Sequence, residues 1–285
     1  MQSQKLIINA ALTGMVPTRA DNASLPVAPD QIAEDARVCH AAGASIFHLH
    51  ARDDDETPTY RAEAYSEIIL KVRANCPDAI ICISTSGRTF KSFEQRSEAL
   101  GLEGNAKPEM ASLTLGSLNF PRQASVNEPS MIRALAERMH ECGIVPELEI
   151  FDFGMIDYAK HLIDRKILRE PFYFNLLLGS LGMLSATPFH LATLAMSLPA
   201  GATWAGAGIG RFQFPVNTMS VAMGGNVRVG LEDNLFYDAE KKRPASNLGL
   251  IERVARFSRA AEREIATPAD ARAIIGLAEL PTQHL

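Results

Sequence analysis

The feature that most constrains the fold is a regular alternation of short apolar runs with longer segments of helical periodicity. Eight apolar runs occur in the 285 residues, and each has the length of one strand. They cover residues 6–12, 45–51, 79–85, 110–116, 145–151, 172–179, 202–210 and 226–233. Apolar strands that alternate with helices are typical of a parallel sheet covered by those helices. Eight such units in a chain of this length predict an α/β fold of the (β/α)8 TIM-barrel type.

The segments between and after the runs carry helix signals. Pro29 suits the first turn of a helix, and Gly43 follows the end of the same helical pattern. After the eighth run, residues 246–264 begin with a serine or asparagine cap, and residues 267–277 form a last short helical pattern. The barrel is therefore expected to carry a C-terminal helical extension. No domain-sized linker interrupts residues 1–285, which predicts a single TIM-barrel domain.

A doubly wound open sheet is the main alternative for a chain of alternating strands and helices. That fold usually places a glycine-rich phosphate loop directly after the first strand. Here the segment AALTGMVPTRAD contains a single glycine, Gly14, and the barrel is therefore favoured.

Composition narrows the expected partners and compartment. The net charge is −5 at pH 7 and no Lys/Arg run occurs, so neither nucleic acid nor a membrane surface is an expected partner. Four widely spaced cysteines without a CxxC pair favour reduced thiols in a cytoplasmic protein. No segment approaches about 18 continuous apolar residues. The N-terminal residues also lack the pattern of a signal peptide.

Two histidines stand one residue apart in the second apolar run, IFHLHA. Alternation along a strand places His48 and His50 on the same face, close enough to bind one ion. A catalytic zinc typically takes three protein ligands, and the carboxylate candidates at other strand ends are Glu149, Glu232 and Asp233. Glu232 lies at the mouth of the last strand. The alternative is that both histidines are core residues hydrogen-bonded to barrel neighbours.

Further charged residues share the strand ends where barrels place their active sites. Glu147 and Glu149 lie on one face of the fifth run, where two carboxylates need a cation such as a metal or Arg228. The alternative is a frayed, edge-like strand. Arg228 and Asp233 flank Glu232; such a pair is most often structural, but beside a metal it can orient or deliver a base.

The seventh run ends in GIGRFQFP, which contains Gly208, Gly210 and Arg211. Glycines followed by arginine at this place match the usual phosphate site of barrels, after strands 7 and 8. They predict a phosphate-bearing cofactor or substrate. A tight turn that simply requires glycine explains the same residues equally well.

Several segments together resemble the β-keto acid cleavage enzymes. They are INAALTG, TRAD, IFHLHARDDD, ISTSGR, PEMASLTLGSLNF, PELEIFDFGM, WAGAGIGRFQFP and NVRVGLEDNLFY, in order from about residue 5 to 275. The resemblance implies a zinc-dependent TIM barrel that condenses a β-keto acid with acetyl-CoA. Retro-Claisen cleavage then gives acetoacetate and a new acyl-CoA. It also implies a homotetramer.

The same resemblance assigns roles to residues of this chain. His48, His50 and Glu232 resemble the zinc ligands, and Arg228 with Asp233 resembles the dyad that removes the substrate's α-proton. The remaining pocket positions are the carboxylate binders Ser84 and Thr85, the backbone amides of Ser86 and Gly87, and the pocket carboxylate Glu149. The GIGRF loop, with Gly208, Gly210 and Arg211, would meet the phosphates of CoA.

Three positions depart from the family pattern. Val16 of TGMV stands where the aminohexanoate-cleaving members carry a glutamate that engages the substrate's ammonium group. A valine cannot pair with a cation, so Met15 and Val16 predict a neutral or apolar substrate tail. Ser112 replaces a threonine and keeps its hydroxyl, and Ser86 replaces a glycine of the carboxylate loop.

Other classes of protein remain as alternatives. Metal-dependent hydrolases of the amidohydrolase type also use HxH in a barrel, but on the first strand and with further histidines on strands 5 and 6. A barrel lyase acting on CoA esters would carry HxH on strand 7, where this chain has GAGIG. A non-enzymatic binding protein is disfavoured by eight strand ends supplied with ligand-type residues.

Overall fold

The structure is a computed structural model that describes residues 4–279. Eight parallel strands form a closed barrel: β1 (Ile8–Ala11), β2 (Ile46–Leu49), β3 (Ile80–Ile83), β4 (Met110–Thr114), β7 (Val145–Ile150), β8 (Tyr173–Leu178), β9 (Thr203–Gly208) and β10 (Asn226–Val229). Their order around the barrel is β1-β10-β9-β8-β7-β4-β3-β2. A short hairpin, β5 (Leu118–Asn119) with β6 (Ala124–Ser125), follows β4. The predicted TIM barrel is confirmed, whereas the hairpin had no signal in the sequence pattern.

Nine α-helices connect and follow the strands within residues 4–279. They are α1 (Pro29–Ala41), α2 (Ala62–Asn75), α3 (Phe93–Ser97), α4 (Pro129–Glu141), α5 (Phe153–Asp164), α6 (Pro188–Ser197), α7 (Gln213–Ala222), α8 (Asn247–Ala260) and α9 (Pro268–Ile275). Side chains cap the last two, since Ser246 accepts from the backbone N–H of Gly249 and Thr267 from that of Asp270. No helix in this part of the chain has the length and apolarity needed to cross a membrane.

The last strand is shorter than the apolar run predicts. β10 ends at Val229, and Glu232 and Asp233 lie in the turn that follows it. Gly230 follows the strand and packs so closely against β1 that a Cβ there would lie 2.0 Å from the backbone oxygen of Ala11. The turn begins at this glycine, whose carbonyl accepts from the backbone N–H of Asp233 at 3.3 Å, and it places both acidic side chains at the mouth of the barrel.

The C-terminal extension closes the end of the barrel opposite to that turn. Ala271 and Ile275 of α9 belong to the apolar cluster of inward side chains that includes Ile46 and Tyr173. Arg272 fastens the helix with a 2.7 Å hydrogen bond to Glu109 and further bonds to backbone carbonyls. This end is a packed core, so ligands can approach only from the carboxyl ends of the strands.

Asn247, the first residue of α8, fixes the turn that carries Glu232. Its side chain accepts from the backbone N–H of Leu231 at 2.7 Å and donates to the carbonyl of Leu12 at 3.0 Å. It also donates to the Asp35 carboxylate at 2.6 Å. Asn247, Leu12 and Leu231 are fully buried, so water cannot replace the hydrogen bonds to these two backbone groups. One amide thus joins β1, α1 and the turn after β10.

We predict that Asn247→Ala lowers the free energy of unfolding by roughly 2–4 kcal/mol, because it leaves several buried polar groups unsatisfied. Urea unfolding followed by circular dichroism measures this loss. Asn105→Ala, at an exposed position, is the matched control and should change stability by less than about 0.5 kcal/mol. Equal stability of the two variants would refute the bridging role of Asn247.

Candidate active site

A cavity of about 670 Å³ opens at the carboxyl ends of the strands. Its floor contains His48, His50, Glu149, Arg228, Glu232 and Asp233. This is the end of the barrel where the loops after the strands meet. Four of these six side chains are more than nine-tenths buried, and Glu149 and Glu232 are 12% and 15% exposed; all six are ionisable or metal-binding types.

Three metal-ligand atoms converge at the floor of the cavity. The Nε2 atoms of His48 and His50 lie 3.2 Å apart, and Glu232 Oε1 lies 3.3 Å from Nε2 of His50. Ligand atoms about 3.3 Å apart fit a tetrahedral ion with bonds of about 2.0–2.1 Å. Glu232 Oε2 is buried and has no hydrogen-bond partner within residues 4–279. A buried carboxylate oxygen without a hydrogen-bond partner, beside two imidazole nitrogens, is the set of ligands that a divalent metal ion would complete.

Glu147 sets the orientation of His48 from below. Its Oε2 accepts from Nδ1 of His48 at 2.6 Å, and its Oε1 accepts from the amide of Asn9 at 2.6 Å. Burial would raise the pKa of Glu147, but the His48 imidazole and Arg228 lower it to about 2. The ionised carboxylate holds the proton of His48 on Nδ1, which leaves the Nε2 lone pair facing the cavity.

A second cluster, formed by His48, Cys82 and Glu147, also brings ligand-type atoms together. Burial, reinforced by the Glu147 charge, raises the pKa of the Cys82 thiol well above its ordinary value. The thiol donates a 3.4 Å hydrogen bond to Glu147, both of whose carboxylate oxygens are thereby engaged, and neither Cys82 nor Glu147 lines the cavity. This cluster therefore supports His48, and the triad of His48, His50 and Glu232 is the better metal site.

Arg228 is buried among four carboxylates. Its guanidinium donates to Asp233 at 2.9 Å, to Glu232 at 2.7 Å and to Glu149 at 3.2 Å, and it lies 3.7 Å from Glu147. Burial disfavours its charge, but these carboxylates hold the pKa of Arg228 well above its usual value. The arginine is therefore a fixed cation and cannot accept a proton.

The carboxylates of Asp233 and Glu149 lie in a setting that weakens their ionisation. Burial raises the pKa of Asp233, with a further contribution from the neighbouring Glu232 charge and opposition from Arg228. Burial likewise raises the pKa of Glu149, which accepts a 2.6 Å hydrogen bond from Thr114. Of the predicted dyad, Asp233 is the member with the properties of a base.

The loop after β3 brings some of the predicted carboxylate binders into the cavity. Ser84 and Ser86 line it, whereas the hydroxyl of Thr85 is buried and donates to the carbonyl of Ser112 at 2.6 Å. The backbone N–H of Thr85 donates to the Ser112 hydroxyl at 3.2 Å. Thr85 and Ser112 therefore hold β3 and β4 together. Gly87 is required by packing, since a Cβ there would lie 2.4 Å from the carbonyl oxygen of Val126.

Val16 lies on the wall of the cavity with Met15, and 44% of its surface is exposed. The loop that carries both is held by Arg52, which donates to the carbonyls of Gly14 and Pro17. The predicted tail-binding position therefore faces the cavity on a fixed loop.

The predicted phosphate loop is only partly at the cavity. Gly210 lines it, with its N–H donating to the carbonyl of Asp233 at 2.7 Å. At Gly208 a Cβ would lie 2.1 Å from the carbonyl oxygen of Phe212, so packing requires this glycine. Arg211 is exposed, and its guanidinium stacks on the Phe212 ring 5.0 Å away.

Sequence reasoning missed the role of Asn9 and gave none to Arg88. Asn9 interrupts the apolar run LIINAAL, which was the available signal that an inward polar contact exists there. Its partner Glu147 is 138 residues away, and no local pattern identifies that pairing. Arg88 lines the cavity beside Ser86.

Comparison with known proteins identifies relatives over nearly the whole chain. The chain is 40% identical over 275 residues to the 3-keto-5-aminohexanoate cleavage enzyme of Fusobacterium nucleatum, covering 96% of this chain and 98% of that protein. It is 35% identical over 279 residues to the 3-oxoadipate:acetyl-CoA acetyltransferase of Cupriavidus necator, covering 96% of each chain.

Solved structures support the fold. The apo structure of ObcA superposes with a TM-score of 0.78 at 23% identity, over 89% of this chain and 66% of that one.

The profile of the beta-keto acid cleavage enzyme family matches residues 5–277. With two relatives above 30% identity over nearly the whole chain, the protein belongs to the beta-keto acid cleavage enzyme family.

Proposed function

We propose that this protein is a zinc-dependent acyltransferase that cleaves a β-keto acid with acetyl-CoA as co-substrate, giving acetoacetate and a new acyl-CoA. The observation that carries the proposal is the convergence of His48, His50 and Glu232 beside the Asp233–Arg228 pair in one buried cavity. Relatives named for β-keto acid cleavage and for acetyl-CoA transfer support the reaction class.

Zinc is our proposed metal because two histidines and one carboxylate, with a further position open to the cavity, form a common catalytic zinc set. When bound, the ion would supply a Lewis acid that polarises the keto group and stabilises negative charge on it. Glu147 and Asn9 orient His48 for this site through the two 2.6 Å hydrogen bonds.

Asp233 is our proposed base for the α-proton of the β-keto acid. Arg228 stays charged, holds Asp233 in place and faces the negative charge that develops on the substrate. The α-carbon then attacks the acetyl carbon of acetyl-CoA and displaces the CoA thiolate. The thiolate attacks the original keto carbon, the bond to the α-carbon breaks, and that carbon regains the proton as acetoacetate leaves.

The wall around Val16 is our proposed site for the substrate tail. Met15, Val16, Leu118 and Phe236 give it an apolar lining, which favours a neutral or apolar tail. We further propose that the loop after β9 meets the phosphates of CoA. Gly210 at the cavity and the exposed, cationic Arg211 beside it support that position. The homotetramer and the cytoplasmic location stay predictions.

The proposed reaction predicts that the protein, given acetyl-CoA and a panel of β-keto acids, forms acetoacetate and the matching acyl-CoA. Chelation of the metal should abolish turnover and added zinc should restore it, because the keto group is then polarised again. Coupled assay of acetoacetate with mass spectrometry of the CoA products measures both. Hydrolysis of a CoA ester or a C–C cleavage without acetoacetate would instead indicate a metal-dependent hydrolase or lyase.

A substitution of His48 tests the proposed metal site directly. His48→Ala should purify with less than about a tenth of the wild-type metal, since a site with two protein ligands binds zinc weakly. His161→Ala, at an exposed position on α5, is the matched control and should keep the full metal content. A His48→Ala protein that retained zinc and activity would eliminate this site.

We predict that Asp233→Asn lowers kcat by about 100- to 10,000-fold while the metal content stays unchanged, because the amide cannot accept the α-proton. Turnover and the rate of deuterium exchange at the α-carbon, above the buffer background, measure the loss. Asp157→Asn, which is exposed on α5, should behave as wild type. Wild-type exchange by Asp233→Asn would assign the base to another group.

We predict that Val16→Glu shifts preference away from apolar tails and toward tails that carry an ammonium group. The new carboxylate pairs with that cation and is poorly solvated beside an apolar tail. The ratio of kcat/KM values for the two tail types should change by at least about 10-fold, which corresponds to about 1.4 kcal/mol. Val16→Gln matches the size without the charge, and an equal shift in both variants would exclude the electrostatic explanation.

A further inference from the structure

Arg88 is a half-buried arginine that differs from the buried arginines near the cavity in having no partner for its charge. Within residues 4–279, its guanidinium makes no ion pair and no hydrogen bond, and its Nε is buried without a partner. Arg228 has four carboxylates, Arg52 has backbone carbonyls and Arg96 has Asn127. A guanidinium that is neither paired nor fully hydrated is costly unless a ligand completes it.

The position of Arg88 is fixed by an aromatic contact. Its guanidinium carbon lies 3.5 Å from the centroid of the Phe120 ring, in the hairpin that follows β4. Both residues line the cavity together with His48 and His50. Stacking of this kind orients the guanidinium plane and leaves its N–H edges free for a planar anion.

Two hydroxyls of the same loop offer further donors beside Arg88. The Ser84 hydroxyl accepts the backbone N–H of Ser86 at 3.2 Å, and the Ser86 hydroxyl accepts that of Arg88 at 3.3 Å. Because each oxygen is already an acceptor from the backbone, its own O–H remains available for a ligand. The segment from Ser84 to Arg88 therefore presents two neutral donors and one cation to the cavity.

The charge of the floor explains why neutral donors are insufficient. Glu147, Glu149, Glu232 and Asp233 surround a single buried arginine, so an anionic substrate entering the cavity meets negative charge. Burial lowers the pKa of Arg88, and Glu232 and Glu149 oppose that effect, so the arginine stays protonated. It is thus a cation on the cavity wall that can attract a carboxylate past the acidic floor.

We propose that Arg88 binds the carboxylate of the β-keto acid, together with the hydroxyls of Ser84 and Ser86, and determines the requirement for an acid substrate. The proposal rests on the proposed function, because that function supplies the ligand. It assigns to Arg88 the part that the family resemblance gave to Thr85, whose hydroxyl is committed to Ser112.

Calorimetric binding of acetoacetate, the smallest β-keto acid, to the metal-containing protein tests the assignment without requiring turnover. Arg88→Met keeps an apolar stem against Phe120 but removes the charge. It should weaken acetoacetate binding about 10- to 100-fold, the loss expected for a charged hydrogen bond. Arg88→Lys should weaken it less, because the charge remains and the two-pronged geometry is lost. Arg133→Met, exposed on α4, removes the same charge elsewhere and should bind as wild type.

Metal content and the thermal midpoint of each variant show that the site and the fold are intact. Binding of 3-oxoadipate, which has a second carboxylate on its tail, should weaken by the same factor as acetoacetate, and the KM for acetyl-CoA should stay unchanged. Unchanged acetoacetate binding, a loss confined to 3-oxoadipate, or a loss confined to acetyl-CoA would each overturn the proposal. If the wild-type protein binds acetoacetate, Arg88→Met weakens that binding and no acetyl transfer occurs, the proposed function is refuted while the role of Arg88 stays supported.

Discussion

The buried guanidinium of Arg228 is the interaction on which the rest of the site depends. It lies within 3.7 Å of Glu147, Glu149, Glu232 and Asp233, each of which is too costly to bury as an isolated charge. One cation cannot balance four carboxylates, and burial raises the pKa of Asp233 and of Glu149 accordingly. A divalent ion between His48, His50 and Glu232 would neutralise most of the remaining negative charge. The excess of buried carboxylates over cations therefore favours a bound metal, and it also makes Asp233 a group that can take a proton.

The barrel makes this concentration of charge possible because it brings together ionisable groups from strands that are distant in the sequence. His48 on β2, Glu147 on β7 and Arg228 on β10 point inward at the same level, and Asn9 on β1 completes the ring through its bond to Glu147. Beneath them the barrel is filled by apolar side chains and sealed by α9. The charged groups thus lie on a packed apolar interior and contact solvent only through the cavity. Fixed charges and dipoles act most strongly on a substrate in such a site.

Much of this could be predicted from the sequence, for reasons that are local. The eight apolar runs and the helix cap at Ser246 are short-range signals, and the spacing of His48 and His50 fixes their common face. The features that could not be predicted depend on contacts between residues that are far apart in the sequence. Asn9 meets Glu147 across the barrel, and Gly230 packs against the backbone of Ala11 so closely that a Cβ would not fit. The hydroxyl of Thr85, which the sequence places at a strand end like that of Ser84, turns to Ser112 and away from the cavity.

The cavity divides into a part that carries the chemistry and a part that selects the substrate, and the two are built differently. The ionisable groups of the floor are mutually bonded, so a change at one of them alters the pKa and position of the others. Val16 and Arg88 make no hydrogen bond through their side chains within residues 4–279, and both stand on loops held by other residues, Arg52 and Lys91. A substitution at Val16 can therefore change which tail is bound, and one at Arg88 can change how tightly the carboxylate is bound, without disturbing the floor. That separation is the physical reason to seek the substrate's identity in the loops after β1 and β3, while the type of reaction is set by the strands.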